Sequence, residues 1–204
     1  MPQKTPQPCA LLFCSEQHLD VAQALARQCE QAGLAVHLCT EGLAQSEAVF
    51  QRARQSGHQP VLVVHGGGTL LNRSALSSTA ADFESAWRSV CFTGAVIGQQ
   101  AMTAMLPQGQ GTVIFLGHAS AAERLSGAAA YGAASAGLRS LAQSMAREGG
   151  PKGLHVAHVL LHGDMQGHGR PQAQDVAAAC WQLHQQDPST WTHELDLRPS
   201  HTPS

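Results

Sequence analysis

Apolar residues along the chain fall in short runs separated by longer segments of helical period. The runs at 10–13, 35–39, 61–64, 112–116, 154–161 and 192–197 are rich in aliphatic and β-branched residues, and each reads as a strand. Between the first two, Val21, Leu25, Cys29 and Ala32 recur on one helix face until Gly33 closes it. A second helix fits 43–56, with Gly57 as its stop. Thr79 and Asp82 form an N-cap pair, after which Phe83, Trp87, Val90, Gly94, Ile97, Ala101 and Met105 keep helical period up to Pro107. A last helix fits 173–186. Strands alternating with helices predict an α/β domain, a doubly wound and mostly parallel sheet of about six strands.

One stretch organises the rest: GTVIFLGHASAAERLSGAAAYGAASAGLRSLAQSMAREGG, residues 111–150. A strand leads through a loop of small residues, 126–130 included, into a helix with Tyr131 in its first turn. Gly137, Leu138, Leu141 and Met145 follow at helical spacing, and Gly149, Gly150 and Pro151 end the helix.

Composition narrows the setting. With 204 residues, 43% of them hydrophobic, the chain suits one globular domain, read as 9–199 with disordered ends at 1–8 and 200–204. A net charge of −2 and no basic cluster argue against nucleic acid as a partner. Six cysteines without a CxxC pair read as reduced thiols of a cytoplasmic protein. No apolar run is long enough for a membrane span, and the opening run is too short for a signal peptide.

Residues 111–150, their continuation PKGLHVAHVLLHG and the C-terminal WQLHQQDPSTWTHELDLRP resemble the short-chain dehydrogenase/reductase (SDR) family, over roughly residues 10–199. The resemblance implies a Rossmann-like domain and a quartet of Asn, Ser, Tyr and Lys. In the family the serine lies 13 residues before the tyrosine, the lysine 4 after it, and the asparagine 27 before the serine. Around Tyr131 these places hold His118, Ser135 and Cys91. The spacing is kept while three chemical groups differ. Without the lysine, nothing evident lowers the Tyr131 phenol from its ordinary pKa of about 10. Arg139, eight positions on, lies about 12 Å along a helix. Tyr131 therefore reads as a remnant.

The cofactor side departs as well. The first turn, Cys14-Ser15-Glu16-Gln17-His18-Leu19-Asp20, lacks the glycines that bring backbone N–H groups to a pyrophosphate, and Glu16 and Asp20 add negative charge there. Only 41–60 separates the second strand from the third, room for one helix, so the family's outer edge strand is expected to be lost. The substrate-covering insertion shrinks to 164–171. His65, Gly66 and Gly67 line the cleft.

These readings lead to an expected inactive, cofactor-free SDR-like subunit. It would assemble with itself or with an active SDR through helices 83–105 and 131–148, whose small residues and sparse charge suit helix pairing. The alternative is an atypical NAD- or NADP-dependent oxidoreductase acting on a carbonyl or alcohol. A third reading takes His65-Gly66-Gly67-Gly68 as an oxyanion motif and Ser135 as an esterase nucleophile, or Cys91 with His118 as a thiol pair. His65, His118 and His162 should also end neighbouring strands, an arrangement that would suit zinc although no local zinc spacing is present.

Overall fold

The computed structural model describes residues 6–40, 43–68, 73–118, 128–162 and 171–198. Six parallel strands form one sheet: β1 (Gln7–Cys14), β2 (Ala35–Cys39), β3 (His58–Gly66), β4 (Gly111–His118), β5 (Leu154–Leu161) and β6 (Glu194–Leu197), in the order β2-β1-β3-β4-β5-β6. Helices α1 (Leu19–Gln31) and α6 (Ala173–His184) cover one face. Helices α2 (Leu43–Gln55), α3 (Ala80–Ala86), α4 (Thr93–Met105) and α5 (Ala129–Gly149) cover the other.

The alternation of side chains along β4 explains this sandwich. Val113 and Phe115 pack under α4 and α5, whereas Ile114 and Leu116 pack under α1 and α6. A parallel strand covered on both sides needs apolar residues at every position, hence the unbroken runs read in the sequence. The 13 residues of α2 carry the chain between β2 and β3, and among the described residues β2 pairs with β1 alone. This is the expected loss of the outer strand.

Three elements differ from the sequence reading. β1 begins at Gln7, inside the segment expected to be a disordered end, because Gln7 and Pro8 sit in register with His58 and Gln59. The helix expected to run unbroken through 83–105 contains a π-helical turn at Trp87–Phe92. There the Thr93 hydroxyl donates to the Arg88 carbonyl at 2.7 Å, five residues back, a bond that hydrophobic period cannot reveal. The start of α5 takes in Ala129 and Ala130, which had been read as loop, and places Tyr131 third in the helix. The shortened insertion at 164–171 lies almost wholly outside the described residues.

The small residues of α5 serve the chain's own packing. A Cβ on Gly137 would lie 2.8 Å from the Trp87 ring and 3.0 Å from Cys91 Sγ, so the π-helical turn rests directly on α5 there. Met102 is buried in the core. Phe83, Trp87 and Phe92 remain 39%, 49% and 42% exposed along the other side of the same helix.

Candidate active site

Strand order reverses at β1, with β2 on one side and β3 on the other, and ligands of open α/β sheets gather at the carboxyl ends beside such a reversal. The glycine-free turn after β1 is fastened down there. Ser15 donates its backbone N–H to the Gly66 carbonyl at 2.9 Å and its hydroxyl to the same oxygen at 3.3 Å. His18 is fully buried, its ring 4.9 Å from that of His118. A Cβ on Gly66 would meet the His18 ring at 3.2 Å. Asp20 accepts the Val21 N–H at 2.8 Å, so a carboxylate takes a donor at the helix start. Two backbone N–H groups of the turn, those of Ser15 and His18, are thus spent within the chain.

Beside it a cavity of about 260 Å³ opens between the ends of β1, β2 and β3, lined in part by Cys14, Ser15, Thr40, His65, Gly67 and Ser89. It suits one nucleoside rather than a whole dinucleotide. His65 is fully buried against it. Burial pushes its pKa down to about 4, opposed in part by its bond to the Val90 carbonyl, so the ring is neutral near pH 7. With Nε2–H donating to Val90 O at 3.4 Å, Nδ1 is left as an acceptor that is buried without a partner among the described residues. A Cβ on Gly67 would overlap the His65 ring, so only glycine keeps the loop this close. An orphaned acceptor and a close glycine backbone fit the nucleoside end of a dinucleotide cofactor. The pyrophosphate would have to be held outside the β1–α1 turn.

The quartet places come together in part. Tyr131 is 0% exposed and Ser135 follows one turn later, also buried. Neither hydroxyl reaches hydrogen-bonding geometry among the described residues. Burial raises the phenol's pKa, and the neighbouring Ser135 opposes this only partly. The His118 ring centroid is 6.5 Å from that of Tyr131. Cys91 lies apart, its sulfur turned toward Gly137 and its pKa raised by burial, which disfavours the thiolate a nucleophile needs. Arg139 is held by Glu194 in a two-pronged ion pair at 2.6 and 2.7 Å, so it does not replace the missing lysine.

The other readings disperse. His65 bonds Val90, His118 packs on His18 and Tyr131, and His162 bonds Asp196 at 2.8 Å. No group of three or more potential metal ligands exists among the described residues. Ser135 sits in the second turn of α5, not on the strand-to-helix elbow that an esterase nucleophile requires. Sequence reasoning missed His18, which looked like one more turn residue, and His158, hidden in the apolar run LHVAHVLL. His158 is buried with both ring nitrogens unpartnered among the described residues.

A family model described as enoyl-(acyl carrier protein) reductase matches residues 9–188. The chain belongs to the short-chain dehydrogenase/reductase family. A short-chain dehydrogenase from Rhodopseudomonas palustris is 27% identical, with 93% of this chain and 98% of that one covered at a TM-score of 0.73. An SDR oxidoreductase from Burkholderia thailandensis (19% identity, 96% and 92% covered, TM-score 0.78) shares the fold. So does sorbitol-6-phosphate 2-dehydrogenase from Erwinia amylovora (15% identity, 94% and 98% covered, TM-score 0.79). A comparison with curated proteins gives no match.

SDR membership over nearly the whole chain corrects two expectations: the inactive subunit and the absence of a cofactor. SDR proteins use NAD(P), and the alternative reading as an atypical oxidoreductase accords better with these matches. The physical reason lies in where the departures fall. The lost edge strand would lie beyond β2, and of the refilled turn only its first residues line the cavity, whose other walls come from the ends of β1, β2 and β3 and from the helix carrying Ser89, Thr93 and Ile97. No helix among the described residues is long and apolar enough to cross a membrane.

Proposed function

We propose that this SDR protein is an atypical NAD(P)-dependent oxidoreductase that works chiefly in the direction of carbonyl reduction. The observation that carries the reading is the buried pair Tyr131 and Ser135, whose hydroxyls have no partner among the described residues and stand at the carboxyl end of the sheet. Leaving such groups unsatisfied costs about 1–3 kcal/mol each, a cost a bound substrate removes. The nucleoside end of the cofactor would rest against His65, Gly67, Ser15 and Thr40. When bound, the reduced cofactor supplies hydride to a carbonyl carbon. Tyr131, with its pKa raised by burial, stays protonated at neutral pH and donates its proton to the developing alkoxide. The same shift makes it a poor base, so alcohol oxidation at neutral pH is disfavoured. Ser135 stands one turn from the phenol, placed to relay a solvent proton back to the tyrosinate that remains, and His118 flanks it.

Phe83, Trp87 and Phe92 support self-association through α3, α4 and the π-helical turn between them. An active SDR homologue in the second position is the competing outcome in a light-scattering test of purified mixtures.

The enzymatic test follows nicotinamide absorbance with NADH or NADPH against a panel of aldehydes and ketones. Turnover on one class is expected, faster in reduction than in oxidation at pH 7. Oxidation outpacing reduction there, or no dinucleotide consumption across the panel, would overturn the reading.

A further inference from the structure

We propose that a second cavity, at the amino end of the sheet, binds a zwitterion of dipeptide length, its ammonium group taken by Glu47 and its carboxylate by Arg54. The site is separate from the reaction cleft, and the inference stands independently of the oxidoreductase reading.

This cavity measures about 710 Å³, against about 260 Å³ for the one at the carboxyl ends. It opens between α2, α4 and the start of β3, a concave site with room for a ligand and its side chains. His58, the first residue of β3, is part of the wall, so the site lies at the far end of that strand from His65. Glu47, Phe50 and Arg54 share one face of α2, and all three line the cavity. Two helical turns separate Glu47 from Arg54, about 10 Å along the axis, too far for the two charges to pair directly. Phe50 stands between them, buried and stacked on Phe13 at 5.7 Å, which gives the floor a fixed apolar centre.

The polar groups of the walls are held in place yet incompletely used. The Arg54 guanidinium makes no ion pair or hydrogen bond among the described residues. Glu47 accepts the Gln51 amide through Oε1 at 3.1 Å, which steadies the carboxylate and leaves Oε2 for a ligand. His58, beside Arg54, is fixed by a bond between its Nδ1 and His37 Nε2 at 2.9 Å. From the other wall, Gln100 and Gln108 each bury an amide oxygen without a partner among the described residues. Gln108 donates its amide nitrogen to the Ala104 carbonyl at 3.0 Å, so its oxygen is the group left over. The Gln100 side chain makes no hydrogen bond among the described residues and can turn to a peptide group without losing one. An extended dipeptide sets its ammonium and carboxylate about 7 Å apart, so that groups about 10 Å apart hold both ends at once with a peptide group between them.

Calorimetric titration of the full chain with the dipeptide alanyl-phenylalanine tests this directly. A dissociation constant below about 1 mM is expected. Acetylating its amine or amidating its carboxylate should each weaken binding about tenfold, the worth of one charged hydrogen bond. Arg54→Gln should erase the difference between the peptide and its amide, and Glu47→Gln the difference between the peptide and its acetylated form. Both side chains are exposed, so neither change should disturb folding. Blocked peptides or free phenylalanine binding as tightly as the dipeptide would overturn the inference, as would no binding at millimolar peptide. A blocking penalty that survives both substitutions would overturn the roles given to Glu47 and Arg54. Each of these results leaves the oxidoreductase reading standing, because that reading is tested by turnover.

Discussion

The turn after β1 and the start of α5 have both lost the residues usual in the family, and the molecule treats the two losses differently. In the turn the vacated space is refilled by side chains and much of its polarity is engaged: His18 packs on His118, Ser15 bonds Gly66 twice, and Asp20 takes a helix N–H. At the start of α5 the hydroxyls of Tyr131 and Ser135 are buried with no partner among the described residues. A region without a ligand relaxes toward full hydrogen bonding, since an unmet buried group costs about 1–3 kcal/mol. The two places differ in what fills them, ring packing in the turn and a pair of buried hydroxyls in α5, and the proposed reaction uses the second. The turn is filled by the His18 ring, while the start of α5 keeps two buried hydroxyls without a partner among the described residues.

The largest effect that sharpens this contrast is in acid. Burial lowers the folded pKa of both His65 and His158 from 6.5 to about 4. The unfolded chain therefore binds more protons than the folded one between these values. Stability is full above pH 6.5 and falls as the pH drops toward 4, by about 3 kcal/mol for each histidine. Urea unfolding across this range checks the slope, and a flat profile would contradict the buried, neutral state of both rings. His158→Leu should remove roughly half of the slope.

Next in size is the refilled turn. His18→Ala empties a fully buried site and should cost about 2–4 kcal/mol. A change below 0.5 kcal/mol would show that the ring fills nothing. Ser135→Ala goes the other way. Removing a hydroxyl with no partner should leave stability unchanged or raise it by about 1 kcal/mol, while slowing turnover. A loss above 1 kcal/mol would reveal a bond that holds α5.

Much of the architecture was legible in the sequence because parallel strands buried on both faces leave continuous apolar runs. Leu154–Leu161 and Ala35–Cys39 were bounded to the residue, and the missing edge strand followed from chain length alone. The π-helical turn at Trp87–Phe92 was not legible, since apolar spacing does not show where a backbone N–H, here that of Thr93, reaches the carbonyl five residues back. His18 was equally hidden, because a turn histidine carries no sign of whether it points to solvent or into the sheet. At the site, the spacing about Tyr131 named His118, Ser135 and Cys91, of which the fold sets His118 and Ser135 beside the phenol and leaves Cys91 apart. It could not show that Arg139 is committed to Glu194 or that Tyr131 and Ser135 lack partners. Those facts depend on contacts between segments far apart in the chain.

Tyr131→Phe tests the central claim most directly, measured for both unfolding free energy and carbonyl reduction on the same preparation. The account predicts that stability holds or rises by about 1 kcal/mol, because the removed hydroxyl has no partner among the described residues. Reduction should fall by about 10²–10⁴-fold, the usual worth of a positioned acid. Unchanged turnover with unchanged stability would contradict it.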